Sequence, residues 1–300
     1  MRALAAALLA AVALTGCGVR LDTPPPEVPV ADATEQARQD AARAAADLHG
    51  AAQAARATLT GDEALSAVLT AVETTSTEHH AALGGVWEPW PGSGPEATHP
   101  APQTAPAPTA EAVDASPAAV LALLEESAAA AREGALAHGG DLGRLLAAVA
   151  ISRTYQAADL ARALSVPAET LPAAPLPAPE PGTVPADTSR ALDAARYALE
   201  VVAARSSGGQ RAAAVARAEH LSEVAGGVDP EADRRDVAYD ITGAEGRSLA
   251  AAAELDVVRA YVAALAEEDA DREAVLAAAT HAAGQARTWD GTLPPLPGLS

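Results

Sequence analysis

The chain has no lysine, no phenylalanine and no asparagine, and only one cysteine and one methionine in 300 residues. A single cysteine excludes any disulfide within the chain, so packing alone must hold a folded body together. Positive charge is scarce. Twenty arginines face 40 acidic side chains, for a formal charge of −20. That balance argues against nucleic acid as a partner, since its recognition needs a basic footprint. It argues equally against direct docking on anionic headgroups. Past the N-terminus, no apolar run approaches the roughly 20 residues that span a bilayer as helix. Nucleophile elbows, phosphate loops and protease motifs are missing as well. What abounds is alanine, and the missing residue types share AT-rich codons, so the skew reads as a GC-rich genome. Alanine has the highest helix propensity and buries little surface, so helices built from it approach closely and gain modestly from each contact.

The first seventeen residues carry the clearest signal. Arg2 precedes an apolar run from Ala3 to Leu14, followed by Thr15-Gly16-Cys17. This order reads as a lipoprotein signal peptide (1–16) ending in a lipobox, with an apolar core too short to persist as a spanning helix. Cys17 becomes the lipidation site and the new N-terminus. At about 0.8 kcal/mol per buried CH₂, two or three acyl chains hold a protein on a membrane. The expected location is the outer, extracytoplasmic face of the cell membrane, with lipid as the anchoring partner. Loss of Arg2 with the leader takes the charge from −20 to −21.

Beyond a Pro-rich tether (17–31) with Pro24-Pro25-Pro26, the chain alternates helical and Pro-rich segments. Asp32 and Glu35 form a capping box that opens a helix at 33–59, and Thr60 and Glu63 form a second. The helix that follows carries Leu65, Val68, Leu69, Val72, Ser76, His79 and Leu83 on one stripe of helical period. Residues 88–116 are too rich in proline for helix. Ser116-Pro117 is an N-cap with proline at the first helical position, opening a helix to about 137 with Val120, Leu124, Ser127 and Ala131 in line. A fourth helix, 141–164, offers Leu142, Leu145, Val149 and Leu160. A Pro-rich linker (166–186) leads to a second set at 188–206, at 210–225, after a third capping box at Thr242 and Glu245, and finally through Val275, Ala279, Ala282, Ala286 and Trp289. A Pro-rich tail (291–300) closes the chain.

Link lengths then fix the topology. In each half the first and third links are tight turns and the middle link is long, which makes two antiparallel hairpins joined by one crossover. The second helix spans about 33 Å at 1.5 Å per residue. The Pro-rich link after it can reach roughly 90 Å at 3.1 Å per residue, enough to return along the bundle. The predicted fold is all-α, with bundle 1 at 32–165 and bundle 2 at 187–290 as tandem ferritin-like four-helix bundles with long B–C crossovers. Glu78-His79 before Gly84-Gly85-Val86 is echoed, one residue out of step, by Glu219-His220 before Gly226-Gly227-Val228.

The segment from Ala191 to Arg205 (ALDAARYALEVVAAR) and the close from Ala286 to Leu299 (ARTWDGTLPPLPGL) resemble a ferritin-like domain of unknown function found in exported proteins of high-GC Gram-positive bacteria. The resemblance covers about 187–299, while the first half matches in architecture alone. It implies a four-helix bundle, often on a lipoprotein, and no established activity.

Candidate chemistry is thin. A di-iron bundle needs Glu-x-x-His on helices. The one such match, Glu96 to His99, falls in the Pro-rich link. His79 on the apolar stripe, His80 at its edge and Asp40 on the preceding helix form a weak metal candidate, set against a simple core histidine with a surface neighbour. Glu254 and Tyr261 read as interhelical hydrogen bonders, and Trp87, Trp90 and Trp289 as plugs at bundle ends. The acidic run 267–271 reads as a solvated turn that starts a helix. Thr98, Thr104 and Thr109 beside prolines read as O-glycosylation candidates. No cofactor is expected. The leading expectation is a non-catalytic binding or scaffold protein with an envelope protein as partner. The alternatives are a metal-binding or redox bundle and a small-ligand carrier.

Overall fold

Eight α-helices and no strand occur among the described residues, which in this computed structural model are 31–86, 116–167, 184, 186–227, 231, 235–241 and 244–299. Cys17, the tether, Trp87, Trp90, Glu96, His99 and the threonines of the first Pro-rich link lie outside them. The helices are α1 (Ala33–Thr58), α2 (Glu63–Ala82), α3 (Pro117–Ala137), α4 (Gly140–Leu164), α5 (Ser189–Arg205), α6 (Gly208–Ala225), α7 (Gly246–Ala264) and α8 (Arg272–Thr288).

Local capping explains where several of them begin. The side chains of Asp32, Asp62, Ser116 and Asp271 each accept a backbone N–H at the head of their helix, satisfying one of its orphan donors. Two expected boxes shift. Asp62, not Thr60, caps α2, because the chain turns at Gly61 with φ +81° and leaves Thr60 before the turn. Glu245 occupies the cap position of α7 without a side-chain bond, and Thr242 lies outside the described residues. The acidic run does start a helix, through Asp271.

In the first half, the end of α1 (Leu48, Ala52, Ala55) clusters with the start of α2 (Leu65, Leu69), the start of α3 (Val120, Leu124) and the end of α4 (Leu160, Ala161). Ala41, Leu83, Ala135 and Leu146 gather at the other end. Hence α2 and α3 point the same way. Arg38 of α1 closes the far end. Its Nη1 donates to the carbonyls of Leu83 and Gly85 (2.8 Å to the latter), and Glu35 steadies the guanidinium. The helix directions of the second half follow the same order. Arg205, ending α5, faces Glu245 before α7 at 4.0 Å, and Arg247 of α7 pairs with Asp290 beyond α8. Helices α6 and α7 therefore also run in parallel. Their connection passes the start of α5, where Arg190 meets Asp236 at 2.7 Å and the Tyr239 hydroxyl donates to Asp193 Oδ2 at 2.9 Å.

Helix α4 departs from the expected single stripe. Leu142 and Leu145 are half-buried, while Leu146, Ala148, Ile151, Arg153, Tyr155 and Ala158 are buried. The reason is position: α4 packs on α1, α2 and α3 and also touches α7 and α8. A helix covered on most sides shows no clean amphipathic face. At this seam the Tyr155 hydroxyl donates to the Thr280 carbonyl at 2.7 Å, and the Arg287 guanidinium lies 5.0 Å over the Tyr155 ring. Gly284 lets the helices close. A Cβ there would sit 2.5 Å from the Tyr155 hydroxyl. In α7, Glu254 is buried and Leu255 half-buried.

The Pro-rich tail packs. After Trp289, residues 290–299 run back over both halves. Leu296 lies against Ala131, Val149 and Ala150 of bundle 1. Gly298, at φ +86°, presses on Val262 of α7 so closely that a Cβ would stand 2.7 Å away.

Candidate functional site

Among the described residues each bundle buries one arginine, and the two are treated differently. In bundle 2, Arg217 of α6 makes a two-pronged pair with Glu254 of α7, Nε to Oε1 at 2.7 Å and Nη2 to Oε2 at 2.8 Å. Glu254 is 0% exposed, so both charges are withdrawn from water and compensate each other. Tyr261 lies buried one helical face along, and its hydroxyl pKa is pushed up to about 12 by burial. His281 of α8 and His220 of α6 meet edge to face with ring centroids 5.9 Å apart. Burial, then the charges of Arg217 and His220, hold His281 down at about 4. Burial also lowers His220, with Arg217 adding to it. Both imidazoles are neutral at pH 7.

In bundle 1, Arg153 of α4 is 1% exposed. Its Nη1 donates to the Ser127 carbonyl of α3 and its Nη2 to the Ala41 carbonyl of α1, both at 3.3 Å. Its Nε is buried without a partner, and none of its hydrogen bonds goes to a carboxylate. Burial lowers its pKa to about 10, which still leaves it charged at neutral pH. His79 of α2 is 0% exposed, and its Nε2 lies 2.8 Å from the Pro295 carbonyl of the tail. A carbonyl only accepts, so Nε2 carries the proton and the partnerless Nδ1 is a bare acceptor. Burial, with the Arg153 charge adding to it, holds His79 at about 4.

His79 thus lies on the core stripe as the sequence predicts. His80 is half-buried beside Gly85, and Asp40 is exposed and paired with Arg43. The structure brings Arg153 and Pro295 to His79 and leaves Asp40 on the surface. Among the described residues, no three His, Cys, Asp or Glu side chains cluster to hold a metal. Trp289 is 4% exposed at the end of α8, with the Arg247 guanidinium 5.7 Å from its ring. Sequence reading missed Arg153, Arg217, His281 and the tail contact. The one available signal was the spacing of Arg153 at four residues beyond Val149, on the expected core stripe of α4. Compared with family models, curated proteins and solved structures, the chain matches none.

Proposed function

We propose that the chain is an exported lipoprotein, anchored through Cys17, whose two ferritin-like bundles form a non-catalytic scaffold for an envelope partner. The observation that carries the non-catalytic reading is the Arg217–Glu254 pair. The fully buried carboxylate of bundle 2, Glu254, is already neutralised by a built-in cation, where a catalytic bundle would offer it to a ligand. The ferritin-like reading is supported by the parallel courses of α2 with α3 and of α6 with α7. The anchor reading rests on the lipobox, and no helix among the described residues is long and apolar enough to cross a membrane. The test is labelling with an alkyne palmitate in an actinobacterial host, followed by crosslinking in cells. The expected result is label on the native chain, none on Cys17→Ala, and a reproducible envelope protein crosslinked to the body. Absence of label would remove the anchor, and absence of any crosslinked envelope protein would remove the scaffold.

The metal-binding reading retains one favourable observation, the two neutral imidazoles of His220 and His281 in contact. Mass spectrometry of the purified protein after exposure to iron, manganese and zinc decides it. Near-stoichiometric metal that disappears in His281→Ala would replace the scaffold reading.

A further inference from the structure

Arg153 poses a charge problem that its neighbours do not solve. A guanidinium has five N–H donors and does not deprotonate near neutral pH. Here two of them reach carbonyls at 3.3 Å, which is long for a charge-assisted bond, and the Nε–H points at no acceptor. Burying an ion costs several kcal/mol unless an opposite charge offsets it. Arg217 meets that requirement with Glu254, and Arg153 has no equivalent among the described residues. A water molecule could accept from Nε–H but would leave the charge uncompensated.

We propose that the interior of bundle 1 holds a small monovalent anion, chloride, on the Arg153 guanidinium where α1, α3 and α4 meet. The anion accepts from the Nε–H and neutralises the charge. A monatomic ion suits the place. The two carbonyls that meet Arg153 belong to Ala41, which has no side-chain donor, and Ser127, whose hydroxyl already donates to the Leu124 carbonyl at 3.2 Å, so no free donor is left there to shape a larger oxyanion site. His79 stands on the fourth wall, its protonated Nε2 held by Pro295 of the tail, and its Nδ1, a bare acceptor, makes no bond to the anion. The tail and the four helices together seal the ion from water, so it is a structural ligand that exchanges only when the tail lifts or the bundle breathes.

The test uses the purified protein in sodium chloride against sodium gluconate at equal ionic strength. Gluconate is the more strongly excluded salt and favours folding non-specifically, so a specific chloride effect must act against that bias. Saturating chloride is expected to raise Tm by about 3 °C or more over gluconate. Arg153→Met is expected to abolish the difference. Equal Tm values in the two salts overturn the proposal, and so does a chloride effect that persists in Arg153→Met. Should that variant fail to fold, bromide soaked into crystals of the native protein gives an independent answer. An anomalous peak at Arg153 supports the site, and bromide at surface positions alone overturns it.

Discussion

The two buried arginines show how differently one residue type can be held in the two halves of one all-helical chain. Arg217 and Glu254 meet at 2.7 and 2.8 Å in two-pronged geometry, and both are buried, Glu254 fully. Arg153 has two carbonyls at 3.3 Å. The second arrangement leaves a net charge inside the protein. The same contrast extends to the histidines. His281 faces another imidazole across a helix interface, whereas His79 is held by a backbone carbonyl of the C-terminal tail. Bundle 2 neutralises its buried arginine with its own helix, and the core histidine of bundle 1 borrows from a segment that follows bundle 2 in the chain. The two halves therefore do not fold as independent copies, even though their helix plan repeats.

The largest expected effect breaks this comparison at its strongest point. Glu254→Ala strands the Arg217 charge in the core and is expected to cost on the order of 3–5 kcal/mol, a fall in Tm of about 10 °C. The double variant Arg217→Met/Glu254→Leu removes both charges and is expected to recover most of that loss. Arg153→Met strands nothing, and in chloride-free buffer its expected cost is below about 1 kcal/mol. Thermal unfolding of these variants side by side measures the difference. An equal loss for Arg153→Met and Glu254→Ala would erase the distinction between the two arginines.

Acid titration is next in size. His79 and His281 both have native pKa values near 4, below the 6.5 of an unfolded histidine. The unfolded chain therefore binds protons first as pH falls. Stability is full above about 6.5 and declines toward 4, by on the order of 3 kcal/mol for fully buried His79. His281 has Arg217 and His220 around it, and His79 has Arg153, so each added proton also meets a like charge. Denaturant midpoints at pH 7.5 and 4.5 check this. His79→Gln should flatten part of the decline and leave the share of His281.

Much of this fold was legible because helix signals are local. The caps at Asp32 and Ser116 and the stripes of α2, α3 and α8 follow from periodicity and capping chemistry. Two kinds of feature were not legible. One depends on a helix having several neighbours: α4 is buried on most sides, so Leu142 and Leu145 looked like the core and Arg153 did not stand out. The other depends on contacts distant in sequence. Nothing local ties Pro295 to His79, 216 residues apart, or Arg217 to Glu254. Asp40 illustrates the resulting error in site reading. It lies three residues before Arg43 on one turn of α1, and that local pair keeps it at the surface while His79 turns inward.

Two smaller effects sharpen the claim that bundle 1 depends on bundle 2. Leu296→Ala shortens the side chain that lies on Ala131, Val149 and Ala150, and a half-buried leucine is expected to give up about 1–2 kcal/mol. The informative readout is hydrogen exchange. Faster exchange should appear in α2 near His79 and in α3 and α4, with α5 and α6 unchanged. Exchange that rises evenly over both bundles would mean that the tail stabilises the molecule as a whole and bridges no particular site.

The smallest effect is at the seam itself. Tyr155→Phe removes only the hydroxyl that donates to Thr280, a bond at 2.7 Å between α4 and α8. The expected loss is about 1 kcal/mol, since the carbonyl keeps its helical partner. The same variant also relieves the crowding that makes Gly284 necessary, because the atom nearest a Cβ there is the Tyr155 hydroxyl. Gly284→Ala alone is therefore expected to destabilise by about 1–3 kcal/mol through overpacking. Gly284→Ala in the Tyr155→Phe background is expected to cost less than the two changes summed. Additive losses in that double-mutant cycle would show that the helices meet elsewhere, and that Tyr155 does not set their approach.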